Sequence, residues 1–209
     1  MGGTFNPIHL GHLHMAKALV EALQLSEVRF IPSANPPHRN TPETSAIDRV
    51  AMVSIAIAGN PQFVLDTLEL DRIGYSYTID TLISLRSTLG DQVALSWLMG
   101  SDAFLGLNTW HRWQELLEYC HIMIVQRPHS PLNTEQLAEE LRALLLNHKC
   151  NDVKELAGKK AGLIHIQEVA ALDISSTQIR AMLHSSGDVS TLLPAKVLEY
   201  IHSNQLYLT

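Results

Sequence analysis

Hydrophobic positions along the chain switch repeatedly between two periods. Leu13, Ala16, Leu19, Val20 and Leu23 recur three and four residues apart, the spacing of one helix face, and residues 27–32 then form a short apolar strand stopped by Pro32. The same alternation predicts a helix over 45–58, a strand over 62–66, a helix opening near Ser76 and a buried strand over 93–99. Farther along, 108–117 predicts an amphipathic helix, 121–128 a strand, 134–146 a helix and 162–166 a last strand. Residues 194–205 predict a closing helix with Pro194 in its first turn. Strands alternating with helices imply right-handed crossovers between parallel strands. The expected fold is therefore α/β: a Rossmann-like doubly wound parallel sheet of order 3-2-1-4-5 with a helical C-terminal part, residues 1–209 forming a single domain. The polar stretch 129–160, uneven in pattern and poor in aromatics, is expected to be its variable segment.

The front of this pattern is short. Met1 stands where the last residue of the first strand should be, so the central strand of the sheet is nearly missing. The expectation is that roughly five to eight further residues, enough for a strand of ordinary length, precede Met1 in the natural product.

Composition narrows the class. With 46% hydrophobic and 17% charged residues, the chain can bury a sizeable core. A net charge of −6, with no basic run, disfavours a nucleic-acid polymer as partner. No stretch approaches the ~20 apolar residues of a membrane span, and no basic-then-apolar leader opens the chain, so no membrane partner and a cytoplasmic location are expected. Cys120 and Cys150 lack C-x-x-C spacing and fit reduced thiols without a catalytic role. The oligomeric state stays open, a homo-oligomer included.

The chemistry concentrates at Gly2-Gly3-Thr4-Phe5-Asn6-Pro7-Ile8-His9-Leu10-Gly11-His12. Adjacent glycines allow a close backbone approach, Asn6-Pro7 is a turn dipeptide, and the following helix start offers unpaired N–H groups to an anion such as a triphosphate. His9 and His12 share a helix face, with Gly11 leaving room beside the ligand. A pair of histidines at this spacing also occurs on plain solvated faces, and a zinc shared with His14 is not expected, since no Cys, Asp or Glu lies among them.

Four other stretches carry a functional reading beside a plainer one. Pro36-Pro37-His38-Arg39 leaves the carboxyl end of a strand on a pre-ordered loop, where Arg39 could meet a phosphate, or it is simply a linker. Gly100-Ser101-Asp102 sits at the end of the fourth strand, which the expected order places across a crevice from the glycines; Asp102 could take ribose hydroxyls or cap a helix. Ser175, Ser176 and Thr177 could merely cap a helix, or with Arg180 one turn in make a second anion site. Ser76 and Thr78 are explained by capping alone, and Trp110 and Trp113 by core packing.

The opening string resembles the G-G-T-F-D-P-x-H-x-G-H signature of the nucleotidylyltransferase superfamily, and 174–180 resembles that superfamily's I-S-S-T-x-I-R motif. Nearly the whole chain is similar to the bacterial nicotinate-nucleotide adenylyltransferase family, least so over 129–160. The resemblance implies transfer of the adenylyl group of ATP to nicotinate mononucleotide, with Mg²⁺ accompanying ATP. It implies His9, His12 and Arg180 as catalytic residues. ATP would be bound by Gly2, Gly3, Thr4, Phe5, His9, Gly11, His12, Gly100, Asp102, Ile174, Ser175, Ser176, Thr177 and Arg180. Pro37, His38 and Arg39 would meet the mononucleotide phosphate, Tyr77 and Thr78 would line the pyridine pocket, and Trp110 would stack on the ring. Asn6 departs from the motif's Asp, which keeps the Asx-turn geometry but puts any Mg²⁺ contact there in doubt. The alternatives are transfer to pantetheine phosphate or nicotinamide mononucleotide, and a nucleotide-binding module without chemistry. Intact His9, His12 and Arg180 weigh against the last.

Overall fold

The computed structural model describes residues 1–35, 42, 44–72, 74–128, 131–170 and 172–208. The first stretch builds β1 (Gly2–Gly3), α1 (Leu10–Leu23), β2 (Val28–Pro32), α2 (Ala46–Ile57) and β3 (Phe63–Leu65). Then come α3 (Thr78–Leu89), β4 (Ser96–Gly100), α4 (Ser101–Leu105), α5 (Leu116–Tyr119), β5 (His121–Gln126), α6 (Glu139–His148), α7 (Lys154–Ala157) and β6 (Ile164–Glu168). The chain closes with α8 (Ser176–His184) and α9 (Ala195–Ser203). Two compact units divide this set: one takes residues 2–76 and 171–209, the other Met1 and 77–170.

In the first unit three parallel strands lie in the order β1-β2-β3. Gly2 and Gly3 pair with Ile31 and Pro32, so the end of the expected central strand is present as a two-residue strand. Helix α1 buries Ala16, Leu19 and Val20 and turns its exposed side, with the i,i+4 pair Lys17–Glu21, to water. It starts three residues earlier than its apolar pattern, because His9 rather than a later residue serves as N-cap. Helix α2 begins where Ser45 accepts the N–H of Asp48, buries Met52, Val53 and Ile57, and packs on α9. Tyr200 of α9 donates to Asp48 at 3.0 Å, fixing that packing at the first turn of α2.

The second unit holds β4, β5 and β6, again parallel and in that order. Strand β5 is apolar and buried because it is covered on both edges and both faces. The expected order is met within each run, 3-2-1 and 4-5, with the last strand added beside β5; the step from 1 to 4 remains an expectation. Val93, predicted inside β4, is instead 39% exposed, and its carbonyl accepts from Arg86. The predicted helix over 108–117 is broken into 3-10 turns at Leu107–Thr109 and Trp113–Glu115 before α5. Arg112, with φ 51°, is left-handed and cannot continue a right-handed helix, and Thr109 returns its hydroxyl to Gly106. The predicted helix over 134–146 is likewise a short 3-10 turn followed by α6. Cys150, predicted in a polar loop, is buried against β6 with its sulfur 3.8 Å from His165 Nδ1.

Candidate active site

In the first unit the two resembled motifs meet. Phe5 takes φ 48°, a left-handed conformation rare for an aromatic residue, and this bend turns the chain from β1 into the Asn6-Pro7 turn. Four side chains grip that bend. Arg49 donates to the Thr4 carbonyl at 2.7 Å, Arg180 to the Asn6 carbonyl at 2.8 Å, Ser176 to the Pro7 carbonyl at 2.9 Å and Tyr207 to the Asn6 side-chain oxygen at 2.5 Å. Ser175 is the true cap of α8, accepting from the N–H of Gln178, while Thr177 follows inside the helix. Ser176 and Arg180 thus hold the backbone of the opening turn as well as lying beside it.

The two histidines stack. Their ring centroids are 3.7 Å apart at 30°, and the edge of the Phe5 ring meets His12 at 5.2 Å. The His9 N–H donates to His12 Nδ1 at 3.3 Å, which leaves the proton of a neutral His12 ring on Nε2. His9 is buried, and its Nδ1 has no hydrogen-bond partner among the described residues. Burial pushes the His9 pKa down to about 4; burial, then repulsion from His9, pushes His12 down to about 3. Both rings are therefore neutral donors at neutral pH.

Glycine leaves needed room at two places here. A Cβ at Gly3 would lie 3.1 Å from the Phe5 ring, and one at Gly11 3.0 Å from His9 Nδ1. A Cβ at Gly11 would thus press on the His9 ring, with Ile174 next nearest at 3.5 Å.

In the second unit, Tyr77 is the N-cap of α3 and Thr78 its first residue. Tyr77 packs on His111, centroids 4.4 Å apart, and Arg112 lies 3.9 Å from Asp80 one turn into α3. Ser76, predicted as the cap, instead accepts the N–H groups of Ala34 and Asn35 within the first unit. Gly100 caps α4 with its backbone, so Asp102 lies inside the helix, exposed, and does not cap it. Trp110 and Trp113 are both half-buried, not core residues; the buried tryptophan is Trp97. Pro37, His38 and Arg39 lie outside the described residues.

Arg49 and Tyr207 are the site residues that sequence reasoning missed. Arg49 left a signal: it lies on the same helix face as Met52 and Val53, a charge where an apolar residue is due, and it is 1% exposed. Tyr207 left none, being a lone aromatic near a polar turn.

Residues 1–182 match the family model described as cytidylyltransferase-like. A curated relative from Pseudomonas fluorescens, named probable nicotinate-nucleotide adenylyltransferase, is 45% identical over 207 residues, 99% of this chain and 95% of that protein. A Pseudomonas aeruginosa protein of the same name is 44% identical over 206 residues, covering 99% and 94%. Among solved structures, nicotinic acid mononucleotide adenylyltransferase of Plasmodium falciparum complexed with NaAD superposes with a TM-score of 0.73 at 18% identity, covering 99% of this chain and 94% of that one. Its complex with APC gives 0.69.

Proposed function

The chain belongs to the cytidylyltransferase-like family, and from that premise we propose that it transfers the adenylyl group of ATP to nicotinate mononucleotide, giving deamido-NAD and pyrophosphate. The observation that carries this reading is the stacked His9–His12 pair, neutral, seated at a helix start and with one buried ring nitrogen lacking a partner. Such a nitrogen calls for a ligand, because leaving it unpaired costs about 1–3 kcal/mol. Relatives at 44–45% identity bear the name of this activity.

A phosphate oxygen of the mononucleotide attacks the α-phosphorus of ATP in line. The new P–O bond forms as the bond from the α-phosphorus to its bridging oxygen breaks, and pyrophosphate leaves with that electron pair. No side-chain nucleophile is consumed. The buried Cys120 thiol, pushed by desolvation up to about 12, is no candidate for one. Catalysis is then alignment and charge stabilisation by donors fixed in advance. His12 donates from Nε2, and a phosphate oxygen brought to His9 Nδ1 settles the His9 proton on that nitrogen. The added negative charge raises both histidine pKa values against burial. Arg180, with one N–H on Asn6, turns its remaining donors to the outer phosphates beside Ser176 and Thr177. Trp110 stacks on the pyridine, Tyr77 and Thr78 line its pocket, Asp102 takes ribose hydroxyls, and Arg39 with Pro37 and His38 meets the mononucleotide phosphate; these roles rest on the motif resemblance.

Mg²⁺ would accompany ATP as the counter-ion of its phosphates. Among the described residues no three His, Cys, Asp or Glu side chains gather to hold a metal. The oxygen of Asn6, standing where the motif has Asp, is occupied by the Tyr207 hydroxyl. Among the described residues no helix is long and apolar enough to cross a membrane.

The test is pyrophosphate release from ATP and Mg²⁺ with nicotinate mononucleotide, nicotinamide mononucleotide and pantetheine phosphate offered separately. Release is expected to be fastest with nicotinate mononucleotide. Release with the pantetheine ester alone would overturn the assignment.

A further inference from the structure

The turn that follows α9 is strained twice, with Gln205 at φ 53° and Tyr207 at φ 60°, and neither residue is glycine. Left-handed conformations at such residues persist only where their surroundings over-determine them. What they achieve here is delivery of one group: Tyr207, 6% exposed, reaches across the sequence to donate its hydroxyl to the side chain of Asn6. Asn6 directly follows the strained Phe5. Helix α9, which carries this turn, is pinned to α2 by Tyr200 and Asp48, and α2 in turn sends Arg49 to the Thr4 carbonyl. Tyr207 also stands near enough to Arg49 to act on its charge.

We propose that Tyr207 is a positioning residue for adenylyl transfer: through Asn6 it locks the strained opening turn, and with it the Phe5 ring that backs His12. In this role the hydroxyl acts through Asn6 and not on a reactant. Its effect is to keep the turn from relaxing between the states with and without nucleotide, so that the His9–His12 pair is set before ATP arrives. Asn6 suits this task because its oxygen accepts the hydrogen bond of the tyrosine hydroxyl without burying a charge, which an aspartate at the same 8% exposure would do.

The proposal rests on the adenylyl-transfer reading for its kinetic arm only. Wild type, Tyr207→Phe, Asn6→Ala and the double variant are compared. In the ligand-free proteins, amide hydrogen exchange over residues 3–8 is expected to quicken about tenfold or more in Tyr207→Phe, as a local opening event, while His121–Gln126 exchanges as in wild type. Unchanged exchange at residues 3–8 overturns the proposal whatever the substrate proves to be. With ATP and nicotinate mononucleotide, kcat of Tyr207→Phe is expected to fall about tenfold and KM for the mononucleotide to move less than about twofold. Adding Tyr207→Phe to Asn6→Ala should then cost no further rate. An equal loss in both backgrounds would show that the hydroxyl does not act through Asn6 and sinks the assignment. Absence of transfer by wild type to any acceptor would instead defeat the functional reading, and the exchange result would still decide the clamp.

Discussion

His9 and His121 are both buried and both have their pKa lowered chiefly by desolvation, yet their surroundings differ in one respect. His121, at the start of β5, has both ring nitrogens engaged: Nδ1 accepts from the N–H of Leu163 at 3.1 Å and Nε2 meets the Lys159 carbonyl at 2.9 Å. It stitches the turn before β6 to β5. His9 has a ring nitrogen with no partner among the described residues, and it stacks on a second histidine. A buried histidine with both nitrogens satisfied is structural. In the proposed reaction a phosphate oxygen supplies the partner that His9 lacks.

Five measurements can break or sharpen that contrast. The largest effect is expected for His12→Ala: kcat should fall about 10²-fold or more, the loss typical of a key electrostatic donor, with the melting temperature nearly unchanged. Retention of more than half the wild-type rate would remove His12 from the chemistry. His121→Phe should do the reverse. Leaving the Leu163 N–H unpaired should cost about 1–3 kcal/mol of stability in a denaturant titration. The kcat per folded molecule should stay as in wild type, and a selective loss of kcat would erase the distinction between the two sites.

Acid provides the third test. The folded His9 pKa near 4 lies below the ordinary value of 6.5, so the unfolded chain binds more protons between those values and stability must fall as pH drops through that window. By pH 5 His9 alone should account for about 2 kcal/mol of that loss. His9→Ala should flatten the slope, and an unchanged slope in that variant would mean that the histidine is not buried neutral. ATP should raise the pKa of both histidines, so its binding should be accompanied by proton uptake as the pH approaches 5, measurable from the buffer dependence of the binding heat. The smallest expected effect belongs to Trp110→Ala. For a half-buried stacking ring the loss should be about 1 kcal/mol, roughly fivefold in KM for nicotinate mononucleotide with KM for ATP unmoved. Equal changes in both KM values would make Trp110 a packing residue.

Much of the first unit was legible along the chain because its signals are local. The glycines, the Asn6-Pro7 turn and the 9–12 spacing specify a bend entering a helix whatever surrounds them, and the prediction missed only the three residues by which α1 starts early. The second motif was legible as a helix start for the same reason, though not which of its three hydroxyls caps it; that is Ser175. The failures were non-local. Trp110 and Trp113 have helical spacing, but Arg112 between them is left-handed. Ser76 reads as a cap but is taken by Ala34 and Asn35, some forty residues away in the chain. Val93 looked buried, while Arg86, which gathers the carbonyls of Tyr119, Gly90, Val93 and Lys160, decided where β4 could begin.

By itself the amino-acid order determined the α/β alternation, the turn chemistry and which residue types could meet a triphosphate, since these follow from backbone preferences and side-chain inventories over a few neighbours. Only the tertiary structure decided that His9 and His12 are neutral, that a Cβ at Gly11 would press on the His9 ring, and that Arg49 and Tyr207 grip the opening turn. Burial and hydrogen bonding between residues as far apart as Asn6 and Tyr207 set those properties, and a spacing pattern cannot report how deeply a side chain is desolvated or which distant group completes its hydrogen bonds.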